Sequence, residues 1–336
     1  MAQLRLTSVV EPARSLAWPT PACVGGTPLD LVDKLATASP PLGIGVVTDA
    51  TVNGTNSWIT VDGEVLSSTT WFGDAFDAEA PPEPATSSDV HLRGVSLSLL
   101  SDFASHNYGH LLYDGLPRLD LALRAGIDLR DVDHVLCWGP APLMSLWTEI
   151  GVPGDRIVHV QPDVRYRCDT LTVTSFPGVR RALAPWAGEF LRERLQRPPQ
   201  GSGRRLYLQR TTTRLLRNES DLQPVLRRRG FELLDPGADG FATRAAFAAA
   251  DVVVSAHGAG LADLIFCPPT ARIVELIPSD HPYPYWYAAA TVRGLDYRYL
   301  SCPSVDHRPA GALGPSFYDF ECDPTLLGAA LDILLD

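Results

Sequence analysis

DVVVSAHGAGLADLIF (251–266) is the stretch that decides the fold. The apolar run Val252–Val254 leads through Ser255 into His257-Gly258-Ala259-Gly260, and the chain then turns helical. A run apolar on both faces predicts a buried strand of a parallel sheet. Small residues where a strand passes into a helix let backbone N–H groups approach an anion, and the helix N-terminus favours negative charge. The spacing is not the dinucleotide fingerprint, because Asp263 stands where the third glycine would fall. A P-loop is also excluded, since the C-terminal half has no lysine. The alternative is a tight turn in an ordinary α/β sheet.

Outward from this stretch, strands and helices alternate. After it, RIVELIP is expected as a strand and Pro324–Leu335 as a closing helix; before it come an RRLYLQR strand, a Glu219–Arg229 helix, an FELLDP strand and a Thr243–Ala250 helix. PPQGSG (198–203) breaks both kinds of element and is the expected linker, dividing a 1–197 domain from a 204–336 domain. In the first domain, HVLCWG (134–139) and RIVHV (156–160) are expected strands. Helices are expected at Asn107 to about Ala125, PLMSLWTEIG (142–151) and PWAGEFLRERLQR (185–197). Residues 1–90 are strand-rich and irregular, with a hairpin signal at Asp62-Gly63 and a proline-rich loop over 78–89. The pattern predicts an α/β protein of two Rossmann-like halves joined by a proline-rich hinge.

The 336 residues and 45% apolar content exclude a largely disordered chain. No apolar run is long enough to span a bilayer, and MAQLRLTSVVEPARS lacks the apolar core of a secretory signal. A cytoplasmic protein is therefore expected, which would meet any lipid-linked acceptor at the membrane surface or through a partner. Six widely spaced cysteines without C-x-x-C exclude a zinc ribbon and a redox pair, and are expected as reduced, mostly buried thiols. The net charge of −11 argues against wrapping a nucleic-acid backbone. Basic residues are nearly all arginine, with Lys34 the single lysine, a bias that fits a GC-rich bacterial genome.

Charge is concentrated. From Arg192 to Arg229 there are eleven arginines and three acids. Arg227-Arg228-Arg229 reads as a solvated helix face, whereas Arg210, just past a strand, and Arg214 have two readings, a diphosphate clamp of fork-shaped donors and plain surface charge. Asn218 is a candidate N-cap. In HNYGHLLYDGLPRLD, His106, His110 and Asp114 share one stripe at i+4 spacing if the segment is helical throughout. Three readings are open for that stripe: a base site for an acceptor hydroxyl, a structural helix, or a metal site.

Three blocks together are similar to glycosyltransferase family 61. HNYGHLLYDGLPRL resembles that family's "N-[FY]-x-H-W-x-x-D-x-L-P-R-L" segment, and LYLQRTTTRLLRNES its "Y-I-S-R … R-x-x-x-N-E" stretch. DVVVSAHGAGLADLIFCPPTARIVELIP resembles the "A-x-V-I-V-G-x-H-G-A-x-L-T-N-x-x-F" block with the strand after it. Departures are Leu111 for the usual tryptophan, Gln209 for serine and Asp263 for the common asparagine. The resemblance implies a GT-B fold, two Rossmann-like domains facing a central cleft with a C-terminal helix. It also implies an inverting transfer from a nucleotide-sugar donor, expected as a UDP-sugar, to a hydroxyl of a glycan or small-molecule acceptor, with no other cofactor and no obligatory metal. Position by position, Asp114 and His110 match the first block, Arg210, Arg214, Asn218 and Glu219 the second, and His257, Gly258, Ala259 and Leu261 the third.

In an inverting displacement a base takes the acceptor proton while the nucleoside diphosphate leaves from the far face. Arginines and a helix N-terminus then meet the developing phosphate charge. Asp114 is the expected base with His110 second; Arg210, Arg214 and the 257–261 turn, Gly260 included, are the expected diphosphate contacts. Glu275, near the carboxyl end of a predicted strand, is expected to hold the ribose hydroxyls, with a surface or capping role as its alternative. The aromatic run YPYWY (283–287) is expected as a sugar or base platform, or as packing at a domain edge. Two alternatives to a transferase remain: a sugar-nucleotide epimerase of the same architecture, and a nucleotide-binding module without catalysis.

Overall fold

Burial along the longest strands shows how each sheet is built. In VRYRCDTLTVT (Val164–Thr174) the first half alternates, with Tyr166 and Cys168 buried and Arg165, Arg167 and Asp169 exposed. Its last four residues are buried on both faces. In ADVVVSA (Ala250–Ala256) all but Asp251 are buried, as a central parallel strand requires. The computed structural model describes residues 2–178, 183–235, 240–305 and 318–335.

The strands, in chain order, are β1 (Ser8–Glu11), β2 (Arg14–Ser15), β3 (Ala22–Gly25), β4 (Ala38–Ser39), β5 (Leu42–Asn53), β6 (Ile59–Val61), β7 (Glu64–Val65) and β8 (Ser88–Ser98). They continue as β9 (His134–Cys137), β10 (Ile157–His159), β11 (Val164–Thr174), β12 (Arg204–Leu208), β13 (Phe231–Leu234), β14 (Ala250–Ala256), β15 (Arg272–Pro278) and β16 (Asp296–Cys302). Contacts divide the chain into one unit of Met1–Ala17 with Ala36–Leu195 and a second of Trp18–Leu35 with Gln196–Asp336. A single boundary at 198–203 does not provide for Trp18–Leu35, which joins the second unit because β3 pairs in parallel with β16.

The first unit is a mixed sheet and not a purely parallel Rossmann half. Its order is β10-β9-β8-β11-β5-β6-β7, with β1 also paired to β5. β8, β9, β10 and β11 run parallel, but β5 lies antiparallel to β11 over nine residue pairs. The β6–β7 hairpin turns where expected: Asp62 and Gly63 both take positive φ, 51° and 80°, as a two-residue turn matched to strand twist demands. The second unit fits the α/β expectation directly. Its sheet, β13-β12-β14-β15-β16-β3, is parallel throughout. The helices Glu219–Arg228 and Pro324–Leu335 pack on it through Leu222, Leu226, Leu327 and Leu331. Pro236, the end of the expected FELLDP strand, lies outside the described residues. The helix Tyr285–Arg293 and strand β16 follow a stretch that sequence periodicity left unassigned.

All six cysteines are free thiols, five of them buried. Among the described residues, no helix is long and apolar enough to cross a membrane.

The expected Asn107–Ala125 helix is interrupted, with a physical cause in Pro117. Tyr108–His110 is α-helical, Leu111–Gly115 forms a π turn, and Arg118–Arg124 resumes the α-helix. Leu116 N–H reaches back five residues to Leu111 O at 2.9 Å. Pro117 has no N–H to give and its ring crowds the preceding turn. Arg118 stabilises the break from inside the core, at 1% exposure. It donates to Asp114 O at 3.0 Å, Thr69 O at 2.8 Å and Thr174 O at 3.3 Å. Burial pulls its guanidinium down to about 10 against the opposing pull of Asp102 and Asp114. Replacing Arg118 with Met should leave these carbonyls unpaired and destabilise the protein by ~3 kcal/mol; a urea midpoint within error of wild type would show that the arginine bears none of this load.

Candidate active site

The π turn presents the first constellation. Asn107 caps the helix start, its Oδ1 accepting from Gly109 N at 2.9 Å and His110 N at 3.4 Å. His110 Nδ1 then lies 2.6 Å from Asp114 Oδ2, both side chains largely buried. The i+4 stripe read from sequence therefore brings His110 and Asp114 together, even though the intervening turn is π. His106 does not join them; its Nδ1 lies 3.0 Å from Ser105 Oγ. Burial and the neighbouring His110 lower its basicity. Among the described residues, no three His, Cys, Asp or Glu side chains are grouped closely enough to hold a metal ion.

Sequence reasoning missed what stands beside this pair. Phe103 takes a left-handed φ of 65°, unusual for a bulky residue, and its ring centroid lies 5.1 Å from that of His110. Trp71 and Phe72 meet Phe103 edge-on at 5.9 and 6.1 Å. The buried Asp102 ties this aromatic group down, accepting from Trp58 Nε1 and Trp71 N at 2.7 Å each. Desolvation raises the Asp102 pKa, against these hydrogen bonds. The usable signal was the spacing of aromatics through 58–76, which only tertiary pairing joins to residue 103.

The second constellation gathers at the carboxyl ends of β12, β14 and β15, where an open α/β sheet meets its ligands. His257 follows β14 and donates its backbone N–H to Leu276 O at 2.9 Å. The next turn enters a 3₁₀ segment, Ala259–Phe266, in place of the short helix expected after Gly260. Gly258 is needed for close approach: a Cβ there would lie 1.7 Å from Arg210 Nη1, so the guanidinium rests directly against the turn. Arg210 also donates through Nε to Thr213 O and through Nη2 to Thr213 Oγ1 at 2.9 Å. Burial, with Arg214 as a second cause, pulls Arg210 down to about 9. Arg214 takes a left-handed φ of 54° and is shifted the same way by burial, with Glu275 opposing. Asp319 anchors the arginine loop, accepting from Leu215 N at 2.7 Å and pairing with Arg217 at 2.6 Å.

Four expected contacts have other partners. Glu275 is fully buried, with Oε1 2.5 Å from His257 Nδ1 and Oε2 accepting from Tyr297 Oη at 2.5 Å. It is neither at the surface nor open to ribose hydroxyls. Asn218 sits at the N-cap position without a side-chain cap bond; it instead clasps Cys322, donating to its O at 2.8 Å and accepting from its N at 3.1 Å. Glu219 accepts from Tyr207 Oη and Gln209 Nε2 at 2.7 Å each, tying its helix to β12. Leu261 is a core side chain whose N–H donates to Gly258 O at 3.0 Å. Ala259 and Gly260 stay half-exposed at the turn, and Asp263 is buried.

The aromatic run is partly self-satisfied. Trp286 and Tyr287 are buried, while His281 stacks on Tyr283 at 4.2 Å and Tyr283 lies parallel to Tyr285 at 5.9 Å. Lys34 Nζ sits 5.7 Å from the Tyr283 ring centre. It reaches this group because Trp18–Leu35 belongs to the second unit, so no local pattern could have assigned it.

The family model described as Glycosyltransferase 61 matches residues 108–274, a span that includes the π turn, the arginine loop and the His257 turn. The chain belongs to glycosyltransferase family 61. A comparison with curated proteins finds no match. In this family 61 member the matched span stops one residue short of Glu275.

Substituting Gly258 with Ala should displace the Arg210 guanidinium, the flexible end of a side chain, while changing stability by no more than about 1 kcal/mol. Pyrophosphate affinity measured by calorimetry should fall about tenfold, as loss of a charge-assisted contact entails; unchanged affinity would remove Arg210 from anion binding.

Proposed function

We propose that this protein is an inverting, nucleotide-sugar-dependent glycosyltransferase of GT-B architecture that transfers a sugar, UDP-linked by preference, to a hydroxyl of a glycan or small molecule. One observation carries the reading: Arg210, Arg214 and His257 converge on a glycine turn at the carboxyl edge of a parallel sheet. Such an array suits a diphosphate whose negative charge grows as the sugar leaves. The all-parallel sheet of the second unit supports its assignment as the nucleotide-binding half.

The His110–Asp114 pair supplies the base in this reading. Asp114 takes the acceptor proton, and the imidazole 2.6 Å away orients the carboxylate and shares the charge. Phe103, beside the pair, offers an apolar face to the acceptor ring. The diphosphate is held by Arg210 and Arg214 and by backbone N–H groups of the 258–260 turn. Loss of one such donor typically costs on the order of 3 kcal/mol of transition-state stabilisation.

The test is acceptor-dependent release of nucleoside diphosphate from a panel of sugar nucleotides. Asp114→Asn should lower transfer by about 10²–10⁴-fold and leave UDP affinity within about twofold; an active Asn variant would remove Asp114 from the chemistry. Arg210→Ala should weaken UDP binding about tenfold or more, and equal affinity would make this arginine structural. Interconversion of sugar nucleotides without acceptor would replace the transferase by an epimerase, and UDP binding without turnover by a non-catalytic module.

A further inference from the structure

The His257–Glu275–Tyr297 chain has more structure than an anion contact needs. Glu275 has no exposed surface, and both its oxygens are engaged, by His257 Nδ1 and by the Tyr297 hydroxyl, each at 2.5 Å. His257 is itself 4% exposed, and among the described residues its Nε2 makes no hydrogen bond. A ring nitrogen without a protein partner is thus held beside the two arginines that this reading places on the diphosphate.

The geometry points to Glu275 as a positioning residue that controls the proton on His257: the diphosphate is accepted when the Glu275–His257 pair holds a proton, and binding is coupled to that proton. This rests on the diphosphate reading of the site. When the pair has lost its extra proton, Glu275 is a carboxylate, Nδ1–H donates to it, and Nε2 presents a lone pair that repels phosphate. When the pair holds the proton, on the carboxyl or shared as imidazolium–carboxylate, Nε2 carries hydrogen and donates to the anion. No covalent bond changes; one proton moves from solvent to the pair.

The surroundings set where this happens. Desolvation pushes Glu275 up to about 8, against the hydrogen bond from Tyr297 and the charge of Arg214. Burial, then Arg214 and Arg210, depress His257 well below an ordinary imidazole. His281 faces it from the loop after β15 and is held down to about 2, first by burial, so it stays neutral. Tyr297, on β16, is raised first by burial and then by Glu275, with Tyr299 and Tyr287 contributing, so it remains a phenol. Lys34 adds positive charge near His281, and Asp319 offsets some at Arg210. The sign follows: with the pair's proton lost near pH 8, anion affinity falls as pH rises through that point.

The experiment is calorimetric titration with UDP between pH 7.0 and 8.5, in buffers of different ionisation enthalpy. Wild type should lose about fourfold in affinity across that range and take up about half a proton per UDP at pH 8. Glu275→Gln cannot ionise, and its amide can donate to His257 Nδ1, keeping hydrogen on Nε2; it should bind UDP without the half-proton uptake at pH 8 and without the fourfold loss of affinity. Ionisation of UDP and of Arg210 is common to both proteins, so the difference belongs to Glu275. Tyr297→Phe removes the hydrogen bond that favours the carboxylate and should move the midpoint to higher pH. An unchanged pH profile and proton uptake in Glu275→Gln, or no coupling in wild type that binds UDP, overturns the inference. Failure of wild type to bind any diphosphate overturns the underlying reading, and is distinguished because it needs no variant.

Discussion

A carboxylate with no exposed surface, placed on a strand in the interior of a parallel sheet, is costly unless its neighbours supply protons. Glu275 on β15 is such a group, and the second unit is arranged around its demands. The turn after β14 brings His257 to one oxygen and the start of β16 brings Tyr297 to the other, so the register of three adjacent strands is tied to this one residue. That register places the His257–Gly258 turn where Arg210 can lie against it. A small lateral shift of either neighbour would leave a buried oxygen unpaired, at a cost of roughly 1–3 kcal/mol. The same constraint that holds the strands together thus fixes the turn on which the anion site is proposed.

The first unit solves the converse problem, a buried cation. Arg118 has to satisfy a guanidinium in the core, and it does so with main-chain carbonyls from three separate segments, at Thr69, Asp114 and Thr174. One of these, the Asp114 carbonyl, belongs to the π turn that Pro117 opens. The residue offered as the base is therefore fixed twice: by its side chain against His110 and by its main chain against Arg118. Preorganisation of this kind limits the motion available to the His110–Asp114 pair.

Both units also show why a sequence motif is an uneven guide to chemistry. Arg210, Arg214, His257 and Gly258 lie near one another because strand ends in a parallel sheet lie side by side. Asn218 and Glu219, adjacent in the same family block, are spent on holding the fold together. Their chemistry was legible but their partners were not: Asn218 bonds to Cys322, 104 residues away. Lys34 and Asp319 were invisible as site residues for the same reason, since each enters from a segment with no local pattern of its own. The first sheet departs from the expected Rossmann-like half at β5, whose sequence carries no signal of its direction. Alternation reports which face is buried, not whether a neighbouring strand runs parallel or antiparallel.

The sequence by itself determined the α/β character, the parallel strand run that ends at His257, the arginine-rich loop, the i+4 pairing of His110 with Asp114, and the family. These are local properties, set by hydrophobic period, turn chemistry and residue spacing. Tertiary structure alone decided which polar groups remain available to a ligand and which are consumed in satisfying buried partners. It also decided that Trp18–Leu35 folds with the second unit and that the helix around Asp114 opens into a π turn. The physical reason is common to all three: a buried donor or acceptor must be matched in space, and the residue that matches it is chosen by packing across the fold, not by position along the chain.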